Sequence, residues 1–383
     1  MQNFEFHNTT KILFGEGKIE TLANEIPKDK KVLLAYGGGS IKKNGVYDQA
    51  MTALKDHKVI EFSGIEPNPH YDTLMKAVEL VKNENVDFIL AVGGGSVIDG
   101  CKFISAAVHY EGDEPWHIME KQEKIESALP LGTILTLPAT GSESNGNFVV
   151  TRGNEKMGYS SQLVFPQFSI LDPTVTYSLP EKQTANGVVD AFVHVMEQYL
   201  THPVQARVQD RFAEGLLQTL TEVGPQILKT PEDYDLRANI MWSATLALNT
   251  LIGKGVPQDW ATHMIGHELT GLFGMDHAQT LAIVLPAVLK ERHEKKHDKL
   301  IQYAERVWNI QEGSDEEKVN AAIEKTESFF KEMKLSTRLS EENISEDEIP
   351  NILKQLEKHG MTELGEDGNV DLAMSERILR RAL

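Results

Sequence analysis

Five side chains in the middle of this sequence have the types and spacing to hold one metal ion. Asp190 and His194 stand four apart in TANGVVDAFVHVMEQYL, His263 and His267 four apart in DWATHMIGHELTGLFG, and His277 follows in MDHAQT. Residues i and i+4 share one face of an α-helix, so each pair can point at a common centre. Amid apolar neighbours, a lone Asp190 carboxylate is costly to bury without a cation, and a divalent ion supplies the missing charge. One carboxylate with two or three imidazoles accepts Fe(II), Zn(II), Mn(II) or Co(II). A protease-type zinc helix is not indicated, because His263-Met-Ile-Gly-His267 lacks a Glu directly after its first His.

The elements that must carry these residues are legible. Val188, Val189, Phe192, Val193, Met196 and Leu200 recur at helical spacing, with no Pro or Gly after Gly187. The stretch from Trp260 to Leu269 reads likewise; Gly271 and Gly274 then break it, so His277 lies beyond a turn. Upstream, from Lys11 to about Pro180, short β-rich runs alternate with helical ones. Strands are expected at Lys31–Tyr36, Val59–Phe62, Phe88–Val92, Gly132–Leu137, Phe148–Thr151 and Phe168–Leu171. Helices are expected near Gly45–Lys55, at Tyr71–Asn83, and around Val97, Cys101, Ile104 and Ala107. Strand, glycine turn and helix repeated in this way mark a parallel, Rossmann-like α/β sheet with ligands at the strands' carboxyl ends. After Pro180 the strand signals stop. We therefore expect an α/β dinucleotide-binding domain over 1–180 and an all-helical metal-binding domain over 181–383, with Asp315–Lys318 a solvated helix start.

Two strands run into the same turn, Gly37-Gly38-Gly39-Ser40 and Gly93-Gly94-Gly95-Ser96. Neither fits G-x-G-x-x-G, but glycines let backbone N–H groups approach phosphate oxygens, and a helix N-terminus adds favourable dipole charge. Past the second turn, Asp99 holds either the loop or the cofactor ribose. The first turn continues as Ile41-Lys42-Lys43 and contains no acid. NAD sites commonly set an acid against the ribose 2′-hydroxyl, so this turn favours a 2′-phosphate and hence NADP(H). A third polar turn runs from Leu137 through Thr140, Ser142 and Asn145 to Asn147; it either covers a cofactor or is a plain loop.

Composition narrows the class. The chain has 383 residues, with 38 basic and 57 acidic side chains and a formal net charge of −19. That balance argues against nucleic acid or an anionic membrane as partner. The single cysteine, Cys101, excludes an intrachain disulfide and suits a reducing cytoplasm. No apolar run approaches the roughly 20 residues of a membrane span. The N-terminal MQNFEFHNTTKILFG has neither basic leader nor apolar core, so no signal peptide is expected.

The blocks GGGSIKKNG, GGGSVIDGCK, LPATGSESN, LDPTVTYSLP, ANGVVDAFVHVMEQY and ATHMIGHELTGLFGMDHAQTLAIVLP resemble the iron-containing (group III) alcohol dehydrogenase family over nearly the full length. The branch resembled is that of the NADPH-dependent aldehyde reductases and butanol dehydrogenases. The resemblance implies a dehydroquinate synthase-like architecture and a homodimer, with Asp190, His194, His263 and His277 as ligands of one ion, Fe(II) or Zn(II). It sets His267 close by, either behind the ligands or as the proton-handling residue. It places cofactor contacts at Gly37 to Ser40, Gly93 to Ser96, Asp99, Thr136, Thr140, Lys156 and Leu179. The expected reaction is hydride transfer between NADP(H) and small aldehydes or primary alcohols such as butanal and butanol. The competing readings are an NAD(H)-preferring alcohol or polyol dehydrogenase and a dehydroquinate synthase-like lyase. The lyase would need several basic residues beside the ligands, where the sequence offers mainly Val, Phe, Met, Trp260 and Leu, with Lys254 the exception.

Overall fold

The computed structural model describes residues 1–383, which fold as two compact units. One unit comprises His7–Leu179 and Glu232–Met241; the other comprises Met1–Phe6, Pro180–Pro231 and Trp242–Leu383.

In the first unit the strands are β1 (Lys11–Phe14), β2 (Lys31–Tyr36), β3 (Lys58–Ser63), β4 (Phe88–Gly94), β5 (Leu131–Leu137), β6 (Asn147–Arg152), β7 (Glu155–Ser160) and β8 (Phe168–Leu171). The helices are α1 (Val46–Ala53), α2 (Tyr71–Glu84), α3 (Gly95–Ala107) and the single turn α4 (His117–Glu120). Six strands form one parallel sheet in the order β1-β8-β5-β4-β2-β3. Successive side chains point to opposite faces, and both faces are covered. Leu33, Ala35, Ile89 and Ala91 join Leu74, Val78, Ile98 and Cys101 in one core, while Val32, Leu34, Leu90 and Val92 join Ile19, Leu22, Val46 and Ala50 in another. This explains why KVLLAY reads as a continuous apolar run.

β1 and β7 have no counterpart among the expected strands. β1 is four residues long at the sheet edge, too short for a clear alternation. The Phe148–Thr151 strand exists as part of β6 but lies outside the parallel sheet, paired antiparallel with β7. The Gly153-Asn154 dipeptide, with Gly153 at φ 59°, turns it back on itself.

The second unit carries α5 (Glu181–Tyr199), α6 (Arg207–Ile227), the end of α7 (Tyr234–Ala247), α8 (Ala261–Phe273), α9 (His277–Glu291), α10 (His297–Arg306), α11 (Asp315–Glu332), α12 (Ile349–Lys358) and α13 (Leu372–Arg381). No named strand follows β8. α11 opens with a reciprocal cap between Ser314 and Glu317, the solvated start expected at 315–318. Gly271 is absorbed into α8, and the helix stops at Gly274, whose φ of 66° favours glycine.

Candidate active site

The glycine turns of the first unit are placed by strand order. From β2 the chain moves outward to β3 and returns to β4 on the other side of β2, so the topological switch point falls between β2 and β4. Tyr36 pairs with Val92 across it, and each strand then enters its glycine turn. Gly37–Ser40 and Gly93–Ser96 are therefore neighbours at the carboxyl edge, where a parallel sheet binds ligands. Gly93, Gly94 and Gly95 are required by packing, since an added Cβ would come within 2.6 Å of Val97, 2.9 Å of Leu137 and 2.6 Å of Thr140 respectively. The second turn leads directly into α3, whose first residue is Gly95. The first turn leads only into a 3₁₀ turn at Ser40–Lys42, with α1 starting at Val46. A Cβ added at Gly38 or Gly39 would meet nothing within 4 Å, but Gly39 alone of the two has positive φ, 90°.

The third turn is fastened from below. Asp99 Oδ1 accepts from Ser142 Oγ at 2.6 Å and Oδ2 from the Val149 N–H at 3.0 Å. Lys102 Nζ donates to Ser142 Oγ (2.7 Å), Asn145 Oδ1 (3.1 Å) and the Asn147 carbonyl (2.7 Å). Burial pushes the Lys102 ammonium down to about 8, against the pull of Asp99 and Glu143. Thr136 is the next-to-last residue of β5, Thr140 lies against Gly95, and Asn147 opens β6. Lys156, on β7, is close enough for its charge to act on Asp99. Leu179 lies past the end of β8, its N–H bonded to the Thr176 carbonyl. Sequence reasoning did not single out Glu61 on β3, whose carboxylate accepts from Tyr36 (3.0 Å), Tyr47 (2.5 Å) and Lys42 (3.2 Å). The Tyr47 hydroxyl, with Tyr36 and Lys42, holds that carboxyl below its ordinary range.

The second unit gathers the metal-ligating candidates. Asp190 and His194 project from one face of α5, His263 and His267 from α8, and His277 is the first residue of α9. Donor atoms of Asp190, His263 and His277 all lie within 4.8 Å of one another. His194 joins through Asp190: its Nδ1 is 3.5 Å from Asp190 Oδ1, and His277 Nε2 is 3.7 Å from the same oxygen. Two ligands each about 2.1 Å from a tetrahedral ion would stand about 3.4 Å apart, so these separations suit donors converging on one cation. His194 Nδ1 is buried with no hydrogen-bond partner, and burial pushes the imidazole down to about 4, which keeps it the neutral species that can ligate. The residues therefore fit a divalent ion. The His267 ring is half-buried, its centroid 5.2 Å from that of His277 and 6.4 Å from that of His263.

Two neighbours complete the picture. Trp260 packs edge-on against His263 (5.2 Å) and His194 (6.2 Å), and its backbone sits at φ 61°, a costly conformation for a bulky residue. Glu197, not anticipated from sequence, meets the His263 ring through Nδ1. The signal was present: Asp190, His194 and Glu197 fall at i, i+4 and i+7, one stripe of α5. Burial and then the Asp259 charge raise the Glu197 carboxyl, while the Thr262 and His263 N–H groups act the other way.

Comparison with known proteins shows the family. Residues 9–173 match the iron-containing alcohol dehydrogenase family model, and residues 184–380 match the model of the Fe-containing alcohol dehydrogenase family C-terminal region. The chain is 58% identical to the NADPH-dependent aldehyde reductase YqhD of Escherichia coli, covering 100% of both. It is 42% identical to the probable NADH-dependent butanol dehydrogenase 1 of Bacillus subtilis, covering 94% of this chain and 95% of that one. Among solved structures, the NADH-dependent butanol dehydrogenase A of Thermotoga maritima superposes with TM-score 0.95 at 39% identity, covering 100% of this chain and 99% of that one. This chain belongs to the iron-containing alcohol dehydrogenase family.

Proposed function

We propose that this protein is a metal-dependent oxidoreductase that transfers a hydride between NADP(H) and small aldehydes or primary alcohols such as butanal and butanol, acting chiefly as an aldehyde reductase. The observation that carries this reading is the convergence of Asp190, His263 and His277 donor atoms, with His194 beside them, in a chain that also has paired glycine turns at a sheet switch point. Asp190, His194, His263 and His277 are assigned as ligands of one Fe(II) or Zn(II) ion. Residues 1–180 are assigned as the dinucleotide-binding domain and 181–383 as the metal-binding domain.

Held by Asp190, His194, His263 and His277, the ion would supply Lewis acidity toward a carbonyl oxygen, and NADPH would supply the hydride. The chain's own residues do the rest. Gly37–Ser40 offer N–H groups and a hydroxyl to the 2′-phosphate end of the cofactor. Gly93–Ser96 bring the start of α3 to its diphosphate, where backbone donors and helix dipole favour negative charge. Asp99 and Lys102 hold the third turn, with Thr140 and Asn147, in the shape that covers the cofactor. A ring nitrogen of His267 delivers the proton that completes the alcohol. Trp260 walls the site with apolar surface, which favours an uncharged aldehyde over a phosphorylated one.

The NAD(H)-preferring alternative has relatives named for NADH in its favour; against it stands the absence of an acid from the first turn. We further propose a cytoplasmic homodimer, supported by the single reduced cysteine and by exposed Val208 and Phe212 one turn apart on α6. The test is turnover of an aldehyde panel with NADPH and NADH on protein of measured metal content. No turnover of butanal by metal-loaded protein with either cofactor refutes the assignment.

A further inference from the structure

An α-helix leaves its first backbone N–H groups without acceptors of its own. At the start of α8, three of these groups are taken by two carboxylates. Ala261 N–H donates to Asp259 Oδ1 at 3.0 Å, Thr262 N–H to Glu197 Oε1 at 2.6 Å, and His263 N–H to Glu197 Oε2 at 3.2 Å. The same Glu197 Oε2 meets Nδ1 of the His263 ring. One side chain on α5, 3% exposed, thus grips both the backbone and the imidazole of one residue on α8. Its anchorage is also fixed. Asp259 N–H donates to the Glu197 carbonyl at 2.9 Å, and the Asp259 carboxylate is held by Lys296 at 2.6 Å and by Arg292. Those two cations are tied in turn to Glu366 at 3.0 and 3.1 Å.

The chemistry of the pair follows from what each group can do. The Thr262 and His263 N–H groups and the positive end of α8 face the two Glu197 oxygens, so both oxygens are set as acceptors toward α8. The imidazole proton then belongs on Nδ1, and Nε2 keeps the lone pair that a metal needs. Ring rotation about χ2 is stopped by the same contact. We propose that Glu197 is a positioning residue for metal binding, setting both the tautomer and the orientation of His263. This rests on reading His263 as a ligand of the ion.

The experiment is Glu197→Gln, with cobalt(II) affinity measured by chelator competition and followed through the visible band of the bound ion. A glutamine can still accept from Thr262 N–H, but it can turn a donor toward Nδ1 and force the imidazole proton to Nε2. The expected result is a loss of about 10- to 100-fold in affinity, with a metal-free melting curve that remains cooperative. If the variant only melts earlier while the folded protein binds cobalt as tightly as the parent, Glu197 is a helix cap and the inference is overturned. A second measurement needs no stable variant. In zinc-loaded parent protein labelled with ¹⁵N-histidine, the His263 resonances, identified by their loss in His263→Gln, are expected to show a protonated Nδ1 and a metal-shifted Nε2. The opposite tautomer overturns the proposal. Failure of the dehydrogenase reading looks different: the parent binds cobalt with the predicted tautomer yet reduces no aldehyde.

Discussion

Replacing Gly38 by Asp puts the cofactor assignment under the most direct strain. Of the three glycines in the first turn, Gly39 sits at φ 90° and Gly37 would bring a Cβ to 3.1 Å from the Ile65 carbonyl oxygen, but Gly38 is open on all sides. A side chain there is therefore tolerated, and a changed kinetic ratio reports electrostatics rather than misfolding. The 2′-phosphate of NADP carries about −1.5 to −2 charges at neutral pH. Two unit charges about 4 Å apart interact by about 1 kcal/mol in water and about 4 kcal/mol near a protein surface. Gly38 is exposed, so the lower half of that range applies and, with the multiple charge, gives a penalty of about 2–3 kcal/mol. A carboxylate also gains a hydrogen bond from the free 2′-hydroxyl of NAD. The NADPH to NADH ratio of kcat/KM is expected to fall by about 30- to 150-fold. Gly39→Ala is the contrasting control: it is expected to cost about 1–2 kcal/mol in stability through its left-handed backbone, without reversing the preference. An unchanged ratio in Gly38→Asp, or a parent that already prefers NADH, shows that this turn does not read the ribose.

The two lysines after this turn are expected to differ: Lys42→Ala removes the one cation paired with Glu61, which keeps its Tyr36 and Tyr47 hydroxyls, and leaves a less neutralised carboxylate near the proposed phosphate end, so NADPH should lose more than in Lys43→Ala, with a steep salt dependence. Equal, salt-independent effects on KM would deny both lysines a role. His263→Ala and His277→Ala should each lose bound metal and activity, while His267→Ala keeps its metal and loses rate; elemental analysis alongside kcat separates these, and equal metal loss in His267→Ala would make it a ligand. Trp260→Gly removes a side chain that borders His194 and His263 and relieves its positive φ, so stability should hold while longer straight-chain aldehydes improve relative to butanal; an unchanged chain-length profile would place Trp260 outside the substrate site. Lys102 gives a pH test. Its folded-state value of about 8 lies below the ordinary 10.5, so the unfolded chain binds the extra proton between these values. Its burial penalty is thus fully present below pH 8 and relieved as pH rises toward 10.5, worth up to about 3 kcal/mol. Urea midpoints of the parent should rise relative to Lys102→Met over that window, and parallel pH profiles would refute the assignment.

Residue spacing by itself reached far into this molecule because helices and strands impose fixed periods. The 190/194 and 263/267 pairs had to share helix faces once their segments were helical, and His277 had to follow a break because Gly274 ends α8. The parallel sheet was equally legible, since strands buried on both faces must read as apolar runs entering turns. Tertiary structure alone decided which distant groups meet. The Gly153-Asn154 turn is a local hairpin signal, but that the β6–β7 hairpin stays outside the parallel sheet is set by packing. That Lys42 is held by Glu61, Tyr36 and Tyr47 depends on β2 and β3 lying side by side in register. Glu197 is the sharpest case. Its place on the α5 stripe is local and visible in sequence, but its partner lies 66 residues away on α8. Spacing fixes the direction in which a side chain leaves its own helix. What waits there is set by the packing of helices against one another, a property of the whole chain's burial that no local period encodes.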